Sequence, residues 1–266
     1  ATGMATQLDR LTWAETRGER RWRPPQNGPA LEDVADLAFD RRDRLVVALP
    51  RESAVLVLDD EGSAVERRAV PEVESVAVDR WGRIWAAAEE TLTAPSGLSF
   101  AVPDRARLAA VVPSGAAAAW LVDARDEVLY RAEVGRDQPR RFELPRRTEV
   151  VAAVPDADGE GLWLLDARSV RLERRDGNGD RAVSVDLDAV VDEPVDLALG
   201  PLGHAFVLDA EGPEIWVVTP EGVLLGYHRI EASEEVPWSE PTAIAVDSAG
   251  RLAVYDERAG RIRWLR

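Results

Sequence analysis

Residues 241–256 read Pro241-Thr242-Ala243-Ile244-Ala245-Val246-Asp247-Ser248-Ala249-Gly250-Arg251-Leu252-Ala253-Val254-Tyr255-Asp256. Two short apolar runs flank an Asp-x-x-Gly-Arg reversal, which is the pattern of a β-hairpin. The Asp accepts hydrogen bonds from its own turn, and Gly takes the positive φ that a tight reversal needs. The unit returns at Ser75-Val76-Ala77-Val78-Asp79-Arg80-Trp81-Gly82-Arg83-Ile84-Trp85 and at Ala35-Asp36-Leu37-Ala38-Phe39-Asp40-Arg41-Arg42-Asp43-Arg44-Leu45. Weaker copies begin near Leu108, Val150 and Val195. Six starts at intervals of roughly 33 to 47 residues match the pitch of propeller blades.

Each unit carries the polarity gradient of a radially stacked sheet. Its first strand is short and apolar on both faces, as a strand beside a propeller axis should be. Second strands at 45–49, 84–88, 118–122, 162–165, 205–208 and 252–255 are again apolar. A third strand alternates, as in Glu214-Ile215-Trp216-Val217-Val218, and a more polar fourth follows a turn such as Pro220-Glu221-Gly222. No segment keeps a helical period. The expectation is an all-β chain, residues 1–266 forming one six-bladed β-propeller of four-stranded antiparallel blades. The sixth unit stops at its third strand, so residues 1–28, through 11–15 or 20–23, are expected to supply the closing strand. Blade two departs most, because 89–99 lacks a regular third strand and reads as a long exposed loop.

The pattern apolar-apolar-Ala-apolar-Asp-x-x-Gly-Arg-apolar, followed by an Asp and a third strand with Arg261-Ile262, resembles the NHL repeat over about residues 35–266. The resemblance implies a propeller but no single activity, because this fold serves binding modules, lyases and lactonases alike.

Composition narrows the partners. All 33 basic residues are Arg, Lys is absent, and the net charge is −16. Such a charge repels nucleic acid and anionic membranes. A GC-rich genome or a saline or alkaline habitat produces the same profile. No apolar run approaches the roughly 18 residues of a membrane span, so no membrane insertion is expected. Cysteine is absent, which removes disulfides, thiolate metal sites and thiol nucleophiles. The start Ala1-Thr2-Gly3 before the only methionine, Met4, suits a processed exported chain or a remnant preceding a native start.

Catalytic signals are sparse. The two histidines, His204 and His228, fall at different strand positions and near no serine motif, so both read as structural. Six-bladed lactonase-like enzymes hold a metal with Glu, Asn and Asp, yet asparagine occurs only at Asn27 and Asn178. Asp176-Gly177-Asn178-Gly179-Asp180 resembles the opening of a calcium loop, but Arg181 and Leu187 stand where Gly and Glu belong. A hairpin turn explains it better, so no cofactor and no metal site are expected, with calcium the one candidate ion.

The remaining candidates lie on the face with the inter-blade connections: Glu74, Arg107, Arg146, Glu149, Asp192 and Glu193, joined by Glu72, Arg105 and Arg147. Trp238, between Pro237 and Ser239 in the longest connection, is the best single contact residue, since aromatic anchors are enriched at interfaces. Packing over the channel explains it equally well. Trp22, Trp85, Trp120, Trp163, Trp216 and Trp264 sit in strand patterns and read as inter-blade packing. Arg17, Arg20, Arg21 and Arg23, with Trp13 and Trp22 among them, read as an edge strand. The resulting expectation is a non-catalytic binding or scaffold module with a protein partner or a larger assembly, a homo-oligomer included. The alternative is a metal-assisted, lactonase-like hydrolase or lyase at the channel mouth, with Glu74, Glu149, Asp192 or Glu193 as ligands.

Overall fold

A computed structural model describes residues 31–265 apart from 60, 61, 96, 97, 99, 104 and 231–239. These residues form six antiparallel sheets and no helix. Blade one holds β1 (Asp36–Phe39), β2 (Leu45–Leu49), β3 (Ala54–Leu58) and β4 (Ala64–Ala69). Blade two holds β5 (Val73–Val78), β6 (Ile84–Ala88) and β7 (Thr91–Thr93), and blade three holds β8 (Leu108–Ser114), β9 (Ala118–Asp123), β10 (Val128–Glu133) and β11 (Arg140–Glu143). Blade four comprises β12 (Val150–Pro155), β13 (Leu162–Asp166), β14 (Arg171–Arg175) and β15 (Arg181–Asp186). Blade five comprises β16 (Pro194–Leu199), β17 (Ala205–Asp209), β18 (Glu214–Val218) and β19 (Leu224–Arg229). Blade six comprises β20 (Pro241–Val246), β21 (Leu252–Asp256) and β22 (Arg261–Leu265). The inner strands β1, β5, β8, β12, β16 and β20 touch in succession, and β20 returns to β1, which closes the ring.

The repeat turn works as its residues dictate. Asp79 Oδ1 accepts from the N–H groups of Trp81 and Arg83, each at 2.9 Å, while Oδ2 receives Arg83 Nε at 2.6 Å. Asp40 and Asp247 hold their turns the same way. Gly82 and Gly250 occupy positive φ at 77° and 81°, and in blade one Asp43 takes that place at 54°. Asp tolerates the left-handed region better than most residues, so that copy folds without glycine.

Packing between blades forms the core. Trp85, Trp120 and Trp163 are fully buried in second strands, and Trp216 is nearly so. Phe142 covers Trp120 at 5.2 Å and Tyr227 covers Trp216 at 4.7 Å between centroids, while Arg174 lies over Trp163. Trp22 lies outside the described residues.

Three expectations need correction. Blade two shows three strands rather than four among the described residues; blade six ends at its third strand, as expected, and residues 1–28, expected to supply its closing strand, lie outside the described residues. Blade two does have a short third strand, β7, and the segment after it is not simply an exposed loop. Leu98, Phe100 and Val102 pack on its core, with Phe100 set 5.3 Å from Trp85. Finally, the inner strands are not uniformly apolar, because Asp36, Ser75 and Asp196 interrupt them.

Candidate binding face at the channel mouth

Each inner strand is entered from the outer strand of the preceding blade. The inter-blade connections and the turns between second and third strands therefore share one face. Hydrogen bonds tie the two sets together: Val70 N–H to Ser53 O, Leu187 N–H to Val170 O and Ile230 N–H to Pro213 O, each at 2.9 Å. The central channel, of about 310 Å³, runs between the inner strands and is lined at this end by Ala35, Glu74 and Thr242.

Aligning the six inner strands places Asp36, Ser75, Ala110, Ala152, Asp196 and Ala243 at one level. Asp36 accepts from its neighbour Leu37 N–H at 2.7 Å and from Val76 N–H of the next blade at 2.8 Å. Asp196 repeats this with Leu197 at 2.7 Å and Ile244 at 2.6 Å. Ser75 Oγ accepts from Val111 N–H at 3.4 Å. Inward-facing N–H groups of the innermost strands have no further strand to pair with, and these side chains serve them. Both carboxyls keep some accessible surface because they border the channel, but they lie deep in the fold. Burial raises Asp36 from 3.8 to about 6, against the pull of its hydrogen bonds. Burial and then the Asp36 charge raise Asp196 well above the ordinary carboxylate range. Thr242 Oγ1, also at the channel, is buried and makes no hydrogen bond among the described residues. The signal for Asp36 and Asp196 was present in the sequence, as charge in an otherwise apolar column of the repeat.

Of the expected site residues that are described, Glu74 alone lines the channel. Burial raises its carboxyl; Arg107 opposes the shift, and Glu89 and Glu72 add to it. Arg107 stands 3.5 Å from Glu89 in an exposed ion pair. Arg146, Glu149, Asp192 and Glu193 are exposed on the rim, and among the described residues their side chains make no hydrogen bond or ion pair. Trp238 lies outside the described residues.

The rim is held from below. Asp209, buried at the end of β17, accepts from the N–H groups of Asp192 and Glu193 at 3.0 Å each. Asp123 accepts from Arg107 N–H at 3.1 Å, and Asp166 accepts from Glu149 N–H at 2.9 Å. An Asp at the end of a second strand thus fixes the connection that carries the rim charge of its blade.

Charge on this face is divided. Arg105, Arg107, Arg125, Arg146, Arg147 and Arg168 lie over blades three and four, where acids are fewer. Asp192, Glu193, Glu211, Glu240, Glu257, Glu32 and Asp33 dominate over blades five, six and one. Among the described residues no three His, Asp or Glu side chains converge as metal ligands, so Glu74, Glu149, Asp192 and Glu193 form no ligand set. The loop at Asp176 is the β14–β15 hairpin turn, in which Asp176 Oδ1 accepts from the N–H groups of Asn178 and Asp180 at 2.8 and 3.0 Å. His204 closes the β16–β17 turn on the opposite face, and His228 sits in the outer strand β19.

No protein-family model and no curated protein matches this chain. Solved structures do. A streptogramin B lyase structure superposes over 94% of this chain and 96% of its own, at a TM-score of 0.67 and 13% identity. A catalytically inactive histidine-to-alanine variant of virginiamycin B lyase from Staphylococcus aureus, with quinupristin, matches at 0.66 and 13%, covering 91% and 82%. The selenomethionine-substituted form of that lyase matches at 0.65 with the same identity and coverage. At this identity the likeness is one of fold. The chain is a six-bladed β-propeller.

Proposed function

We propose that this propeller is a non-catalytic binding or scaffold module that docks a protein partner, or a further copy of itself, on the channel-mouth face. The observation that carries the reading is the division of rim charge into a basic arc and an acidic arc. A partner with complementary halves is oriented as well as attracted, and electrostatic complementarity serves specificity and on-rate. Buried Asp123 and Asp209 and half-buried Asp166 support the reading, since a pre-ordered rim loses little entropy on binding. The same proposal takes the repeats as NHL-type, supported by the recurring Asp-to-Arg turn in blades one, two and six.

Native mass spectrometry of the chain isolated from its source tests this. The expected result is a stoichiometric protein complex that dissociates when Asp192→Arg and Glu193→Arg are combined. A monomer whose behaviour ignores the double variant refutes the docking face.

A second reading, a metal-assisted hydrolase or lyase at the mouth, draws support from the names of the fold neighbours. One of these is inactive as a histidine variant, and neither histidine of this chain stands at the mouth. Incubation with quinupristin and added divalent cations, followed by mass analysis, decides: the docking reading expects no product.

A further inference from the structure

Between blades three and four, outside the channel, a second cavity of about 320 Å³ is lined by Arg146, Arg147, Arg168 and Arg171. Leu144, Pro145 and Leu164 give it an apolar floor. Two acids border it, and both are engaged. Asp166 accepts from Glu149 N–H, Arg168 N–H and Ser169 Oγ, and Glu173 pairs with Arg175 and Arg181 at 3.1 and 3.2 Å. Arg171 reaches Asp186 only through Nη2, at 3.4 Å, and its Nε is buried with no acceptor among the described residues. The side chains of Arg146, Arg147 and Arg168 make no ion pair among the described residues. Four guanidinium groups at one cavity are unexpected in a chain of net charge −16, where acid is abundant. Guanidinium donors suit phosphate and carboxylate oxygens in two-point contacts.

We propose that this cavity is a binding site for a small organic phosphate, its phosphoryl group on the arginines and its apolar body on Leu144, Pro145 and Leu164. Arg146, Arg147 and Arg168 belong to the basic arc of the proposed docking face, but the cavity lies apart from the acidic arc, and binding there needs no protein partner. Titration calorimetry of the full chain with phenyl phosphate tests it, with inorganic phosphate and a single-stranded oligonucleotide as the other arms. The expected result is saturable binding of phenyl phosphate, tighter than inorganic phosphate, and weakened ~10-fold or more in Arg168→Gln. Arg41→Gln, on the opposite face, leaves it unchanged. Absence of saturable heat with phenyl phosphate overturns the site, as does equal weakening by both variants. Tighter binding of the oligonucleotide through the same arginines overturns the small-ligand assignment.

Discussion

Replacing Asp36 by Asn separates the two things its carboxyl does, holding blades together and carrying a charge deep in the ring. Its acid ionises near 3.8 in an unfolded chain and near about 6 in the fold. Between those values the folded chain holds more protons than the unfolded one, so this group's contribution falls as pH rises. The contribution is complete below pH 3.8 and lost once pH passes about 6. Two pK units correspond to about 3 kcal/mol, and water in the channel reduces that to about 1–3 kcal/mol. The Asp36→Asn variant keeps one carbonyl acceptor and loses the other, so either Leu37 or Val76 N–H goes unserved. That loss costs about 1–3 kcal/mol at every pH. The other titratable group on an adjacent inner strand is Glu74, with Ser75 the neutral hydroxyl beside Asp36, and β8, β12 and β20 carry no ionisable side chain. Urea unfolding at about pH 4, 5, 6 and 7.5 is the assay, taken as the difference between variant and parent so that the remaining carboxylates cancel, apart from Asp196, whose shift falls with the Asp36 charge and adds in the same sense. The variant should be weaker at pH 4 and close to the parent, or stronger, at pH 7.5. A gap that stays constant within ~0.5 kcal/mol across that range refutes the argument.

Asp209→Ala removes the acceptor for Asp192 and Glu193 N–H, costing about 2–4 kcal/mol and speeding proteolytic cleavage at 192–193, read by peptide mapping. Gly161→Ala brings a methyl group within 2.3 Å of Arg175 O in the adjoining strand, so a loss of ~3 kcal/mol or more, or failure to fold, is expected on thermal unfolding. Tyr255→Phe deletes the hydrogen bond to Leu31 O and should lower stability by about 1 kcal/mol without moving the spectrum of the other blades. Asp36→Asn also removes the charge that helps to raise Asp196, so Asp196 should titrate at lower pH in that variant, as followed by carboxyl NMR.

The repeat was legible because its physics is local. An Asp at the first turn position, a residue able to hold positive φ three places on, and apolar runs on either side fold a hairpin whatever surrounds them. The rim face was legible too, since antiparallel strands of known order put alternate connections at the same end. Glu74, one of the residues that reasoning put on this face, lines the channel. Asp36 and Asp196 were passed over because a single Asp in a strand run reads as an interruption until its five counterparts are lined up beside it. The arginine cavity could not be read at all, as Arg146 and Arg147 precede β12 while Arg168 and Arg171 flank the start of β14, and only packing of blade three on blade four joins them.

Sequence alone therefore determined the all-β class, the count of six units, and the turn chemistry of blades one, two and six, because these follow from spacing and from the φ/ψ preferences of a few residues. Tertiary structure decided which carboxyls border the channel, which Asp holds which rim loop, and where the arginines of blades three and four gather. Those are distances between residues that lie tens of positions apart in the chain, and ring closure, rather than any local preference, sets them.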